Sequence, residues 1–221
     1  NAQFIGFSIE IGPDGGVYVL DWHDEDICGR EVLDSETGRI FRIMPEKSGA
    51  KNFPGRYVDL NKLEDKKLIA LQTSSSDWHS RRARLILQSR AANGKLDKKT
   101  HGLLLDLYKS TTNINIKLKA LWALHITKGL PQNFLVKALA DTDEYIRSWA
   151  IQLSCEDRSP TVAEKEKFIQ MAENDPSPVV RLYLASALQR IDKNSAWKMV
   201  TSLVKHSEDI NDHNIAKMIW Y

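Results

Sequence analysis

Two cysteines in 221 residues, Cys28 and Cys155, are too few for a disulfide framework, and neither stands in a CxxC or CxxCH arrangement. Each reads as a buried or inert thiol. No apolar run approaches the roughly 20 residues that a membrane-spanning helix needs, and no basic stretch followed by an apolar one marks a secretory leader. A phosphate loop and a dinucleotide fingerprint are missing, as is any defensible Ser-His-Asp or Cys-His order. His79, His101, His125, His206 and His213 do not fall at metal-ligand spacing. What remains is a chain with 42% hydrophobic and 27% charged residues, enough to bury a core in one or two small domains.

The net charge of +2 conceals an asymmetry. Residues 1–55 hold ten acidic and five basic side chains, against 19 acidic and 26 basic in the remainder, which fits two different modules. The acidic part opens with a β pattern. "FSIEI" at 7–11 alternates in the strand period, "GPDGG" supplies a tight turn, and "VYVLDW" resumes with β-branched and aromatic residues. A third alternating strand follows in "ETGRIFRI" at 36–43. Three strands are one short of a propeller blade, and alone they are marginal in water. Ile9, Ile11, Val17, Val19, Ile40 and Ile43 are therefore expected to be covered by the first helices.

From about Leu60 the period becomes helical and the chain repeats itself. Aligning "RRARLIL", "KLKALWAL", "RSWAIQL" and "RLYLASAL" puts Arg81, Lys117, Arg147 and Arg181 at equivalent positions, 36, 30 and 34 residues apart. In the two clearest units an aspartate, Asp141 or Asp175, lies six positions earlier, while Asp77 lies only four before Arg81. This spacing predicts a HEAT-like α-α superhelix over residues 56–221, preceded by a small antiparallel β segment over 1–55. In such a stack each helix pair buries its apolar face on its neighbours, and Trp122, Trp149 and Leu184 fall on the apolar stripe. Asp141 and Asp175 are expected to cap the second helix of their repeats, and Arg147 and Arg181 to meet an aspartate of their own or an adjacent repeat. These four are structural repeat positions.

The densest group of candidate ligands is "DWHDED" at 21–26. The D-x-D-x-D-G spacing of a calcium loop is missing, so the stretch reads as an acidic loop between strands, with a cation or sugar contact from Asp21, His23 or Asp24 as the functional alternative. No catalytic residue is assigned. The basic run "HSRRARLILQSR" at 79–90 could grip phosphates through Arg81, Arg82, Arg84 and Arg90, yet helical spacing spreads these around the helix and the overall charge is modest. Nucleic acid is not an expected partner.

The run "FSIEIGPDGGVYVLDWHDED...ETGRIFRI" resembles the closing blade of the β-propeller in PVC-type membrane-bound dehydrogenase-like proteins of bacteria, which are similar to soluble sugar dehydrogenases that use pyrroloquinoline quinone. In that family the pattern is a GPDG turn, a strand ending in Asp-Trp with another acid soon after, and a GRIYRI-like strand. Here Phe41 replaces the tyrosine, and His23 stands between Trp22 and Asp24. The resemblance extends through "LIALQTSSSDWHSRRARLILQSR", "LKALWALH" and "NIAKMIWY", so it covers nearly the whole chain.

It implies that residues 1–55 are the remnant of a blade and that the helical repeats run on beyond Tyr221, the chain being a non-catalytic fragment of a sugar or alcohol dehydrogenase-like protein. It further implies that pyrroloquinoline quinone, calcium and haem c belong to the parent protein and none to this fragment. The partners would be the remaining propeller and cytochrome domains or another protein docked on the repeats, in a periplasmic or otherwise extracytoplasmic compartment. A free-standing HEAT-type protein-binding adaptor, and a HEAT-like protein that binds DNA or excises bases, are the alternatives.

Overall fold

In a computed structural model of the chain, residues 4–22, 38–46, 55 and 57–221 are described. Among them a small three-strand antiparallel sheet is followed by ten α-helices, so the chain is mainly helical. The strands β1 (Gly6–Ile11), β2 (Val17–Asp21) and β3 (Arg39–Ile43) lie in the order β1-β2-β3. The β1–β2 turn is built by "GPDGG". Gly12 N–H donates to the Gly16 carbonyl at 2.9 Å, and the Asp14 carboxylate accepts Gly16 N–H at 2.9 Å. Gly15 takes φ +74°, and a Cβ on Gly12 would come within 2.3 Å of the Tyr18 ring, so neither glycine tolerates a side chain.

The register sets Val19 opposite both Ile9 and Phe41, and Val17 opposite both Ile11 and Ile43, which gathers these apolar residues on one face of the sheet. Among the described residues the expected helical cover is largely missing. Of the six residues that should have been buried, only Val19 is, while Ile9 is 71% and Ile40, on the opposite face, 70% exposed. Ile11 and Ile43 are also exposed. Alternation identifies the apolar faces; among the described residues Phe4 lies against Phe41, with ring centroids 5.6 Å apart, and most of the remaining apolar surface is open.

The chain divides into two compact units, residues 1–103 and 104–221. The first holds the sheet and the opening helices. It contains α1 (Asp65–Ala70), α2 (Asp77–Ala92) and the start of α3 (Thr100–Ser110). Its helical core is Leu68, Ile69, Ala83, Ile86 and Leu87. Asp65 ties its elements together: it accepts from Arg90 Nη1 at 2.5 Å, from Asp97 N–H at 2.8 Å and from Thr100 Oγ1 at 2.7 Å.

The second unit holds the rest of α3 and then α4 (Ile114–Ile126), α5 (Phe134–Ala138), α6 (Glu144–Ser154), α7 (Val162–Asn174), α8 (Pro178–Ala187), α9 (Lys193–Leu203) and α10 (Ile215–Trp220). Alternate helices pack on one another: α4 on α6, α6 on α8, α8 on α10, and in a second row α5 on α7 and α7 on α9. Leu121, Leu124, Ile146, Phe168, Leu184 and Met199 fill the core between them. Trp122 and Trp149, half-buried, meet edge to face with centroids 4.8 Å apart.

Candidate functional site

Each repeated helix starts from the same local device. Ser76, Asn113, Asp143 and Ser177 are the N-caps of α2, α4, α6 and α8, each accepting an N–H of the first turn. Two residues before each cap, the side chains of Ser74, Thr111, Asp141 and Asp175 accept the cap residue's own N–H. Asp141 and Asp175 are thus not the caps that their position suggested. Their N–H bond leaves the second carboxylate oxygen free to face a neighbouring helix.

The carboxylate receives the basic residue four positions after the cap of the preceding repeat. Lys117 Nζ lies 2.7 Å from Asp141, and Arg147 holds Asp175 through Nε at 2.7 Å and Nη2 at 2.8 Å. Arg181 holds Asp209 through Nε and Nη2, both at 2.5 Å. The third guanidinium nitrogen turns back into its own repeat: Arg147 Nη1 donates to the Asp141 carbonyl and Arg181 Nη1 to the Asp175 carbonyl. Each arginine so bridges two successive repeats. Burial deepens along the series, with side-chain exposures of 21%, 12% and 2% for Lys117, Arg147 and Arg181. The hydrogen bonds they donate to Asp175 and Asp209 raise the Arg147 and Arg181 guanidinium pKa values further above their ordinary range, so both rungs are fixed charges.

Asp209 escaped sequence reading, although it follows Arg181 by the same 28 residues that separate Arg147 from Asp175. In α2 the position four after the cap is Ser80, so the alignment on Arg81 was out by one. Ser80 is buried and donates to the Leu71 and Ser76 carbonyls, which puts a hydroxyl where later repeats carry a cation.

Asp21 is buried at the end of β2. One carboxylate oxygen accepts Ile5 N–H at 2.9 Å and the other receives the Arg39 guanidinium at 2.5–2.7 Å. Arg39 is its register partner on β3, so the pair locks strands rather than offering a ligand. Asp14 makes the matching bond to Arg42 at 2.5 Å. His23 and Asp24, like Cys28, lie outside the described residues.

His79 is buried, with Nδ1 at 2.8 Å from Ser76 Oγ and Nε2 at 3.3 Å from the Gly55 carbonyl, a packing role. Burial pushes the Cys155 thiol up to about 11, which leaves it an unreactive thiol at neutral pH. Among the described residues no group of three His, Cys, Asp or Glu is placed to hold a metal ion. Of the four arginines offered for phosphate binding, Arg84 turns to Gln72 and Arg90 to Asp65 and two carbonyls, leaving Arg81 and Arg82 exposed. No helix among the described residues is long and apolar enough to cross a membrane.

Among the described residues the arrangement offers a sheet with exposed apolar side chains and a helical stack held by ion pairs between helices. Comparison of the chain with protein-family models, with curated proteins and with solved structures finds no match.

Proposed function

We propose that this chain is the junction of a dehydrogenase-like protein, in which the sheet is part of a propeller blade and the helical repeats form a HEAT-like superhelix that acts as spacer and docking surface. The observation that carries this reading is the sheet, whose aliphatic side chains stand open on both faces. Blades of a propeller are covered on both faces by their neighbours, so both faces of each must be apolar. The ion pairs linking successive repeats support the stacking half of the reading, because a solenoid is held by nearest-neighbour contacts.

Pyrroloquinoline quinone, calcium and haem c would be held by other domains of the parent, and the compartment would be extracytoplasmic. Both oxygens of Asp21 are engaged within the sheet. The chain's own part is mechanical, to hold the propeller at a fixed distance and orientation from whatever docks on the repeats.

Two measurements test this. Flanking coding sequence should continue upstream with repeated blade motifs and downstream with CxxCH, and an open reading frame confined to these 221 residues would overturn the reading. The isolated chain, assayed by absorbance and by dye reduction with added pyrroloquinoline quinone, calcium and a panel of sugars, should show no haem band and no turnover. Turnover well above a denatured control would place the catalytic centre within the chain.

A further inference from the structure

The carbonyl of Ala172, in the last turn of α7, has no helical donor, because the residue four positions on is Pro176 and a proline has no N–H. Ala172 is fully buried, so water does not stand in for that donor. His206, in the connection between α9 and α10, does: its Nε2 lies 2.9 Å from the Ala172 oxygen. The other ring nitrogen, Nδ1, lies 2.9 Å from Glu208 Oε1. A carbonyl and a carboxylate only accept, and a neutral imidazole carries a single N–H. Both contacts are hydrogen bonds only when the ring is an imidazolium.

The charges around the ring are consistent with that form. Glu208 is ionised wherever imidazole titrates: its own backbone N–H and then the His206 hydrogen bond hold its carboxyl below the ordinary carboxylate range, helped by the Arg181 and His206 charges. From α8, Arg181 Nη2 lies 3.4 Å from the same Glu208 oxygen, but Arg181 is already held by Asp209. At the end of α7, Asp175 is held by Arg147, and Glu173 is exposed, as is Lys205 beside His206. At the start of α10, Asp212 accepts the N–H groups of Asn214 and Ile215, and His213 meets Lys217. The set His206, Glu208, Arg181 and Asp209 is thus neutral with the ring charged and carries an excess negative charge without it. A cation at this point also complements the C-terminal end of the α7 dipole.

We propose that His206 is a pH-sensitive latch that ties the α9–α10 connection to the end of α7 and closes fully only when its ring is charged. Loss of the proton leaves one N–H for two acceptors. The buried Ala172 oxygen has no helical donor to replace it, whereas Glu208 is 58% exposed and can turn to water, so the remaining proton stays on Nε2 and the Glu208 contact opens. Opening frees a side chain that also leans on Arg181, the cation of the last rung. The latch therefore tightens on mild acidification and loosens as pH rises through neutrality. It stands on its own residues and does not rest on the dehydrogenase-like reading.

Two nuclear magnetic resonance measurements on the full chain test this. With isotope-labelled histidine, nitrogen–proton spectra should show both His206 ring nitrogens protonated at about pH 5.5 and the proton kept on Nε2 at about pH 8. In hydrogen exchange, the Asp209 and Asp212 amides, which donate to the His206 and Asp209 carbonyls within the connection, should be about two- to fivefold better protected at the lower pH, after correction for intrinsic exchange rates. His206→Gln should abolish that difference. So should Glu208→Gln, which alters an exposed side chain and keeps the fold. A neutral ring at the lower pH, a proton kept on Nδ1 at the higher, equal protection at the two pH values in wild type, or a difference that persists in either variant would each overturn the proposal.

Discussion

In residues 104–221 the large apolar side chains, Leu121, Ile146, Phe168 and Leu184 among them, are buried and the ionic groups bridge one helix to the next. In the sheet the arrangement is inverted. Ile9, Ile11, Ile40 and Ile43 face outward, while the buried side chains are Asp14, Asp21 and Val19. Both regions have a regular period and both use Asp–Arg pairs, so neither pattern nor pairing distinguishes them. The difference is whether the next element along the chain returns to cover the apolar face. Helical repeats do so every 30 residues or so, whereas three strands paired edge to edge cannot cover one another's faces.

The comparison can be broken at the buried rung first. Asp209→Ala leaves the Arg181 guanidinium buried without its carboxylate and should cost about 3–5 kcal/mol in denaturant unfolding, and a loss under about 1 kcal/mol would mean that the rung is not what joins the last repeats.

Asp65→Asn should cost about 2–4 kcal/mol and also change the acid limb of stability. Burial pushes the Asp65 carboxyl up, but the hydrogen bonds from Thr100, Arg90 and Asp97 N–H outweigh it and leave the pKa below the ordinary carboxylate value. With the folded pKa lowered, this group's contribution is complete above the unfolded value of about 4 and is lost as pH falls through the folded one. Wild type should therefore lose stability more steeply than Asp65→Asn below about pH 4, and parallel acid limbs would show that Asp65 is not responsible.

Asp141→Ala removes a more exposed rung and should cost about 0.5–1.5 kcal/mol, less than Asp209→Ala. Equal losses at the two sites would contradict the burial gradient. Smallest of all, Ile9→Lys on the open sheet face should change the stability of the isolated chain by under about 0.5 kcal/mol. A loss of 2 kcal/mol or more would show that this face is covered in solution.

The "GPDGG" hairpin, the third strand and the onset of helix near Leu60 were all legible, because turn glycines and a change of period act locally. The repeat positions Lys117, Arg147 and Arg181 were legible for the same reason. The caps were not. "DTD" and "DPS" each hold two residues able to cap, and the outer one is drawn away by a cation from the preceding repeat, a long-range effect invisible in a short window. Ser80 was missed because Arg81 stands beside it and an alignment on charge selects the wrong neighbour. The cover expected on the sheet failed because alternation reports which side chains share a face and says nothing about what lies against it.

A sheet with exposed apolar side chains is held less deeply than the helices of residues 104–221, and hydrogen exchange on the isolated chain tests this. The account predicts that amides of Val19 and Leu20 in the central strand β2 exchange orders of magnitude faster than those of Ile151 in α6 and Leu184 in α8, because opening the sheet exposes little that is not already exposed. Protection in β2 equal to that in α6 and α8 would mean that the sheet is stabilised to the same depth as the helices, and the account would be contradicted.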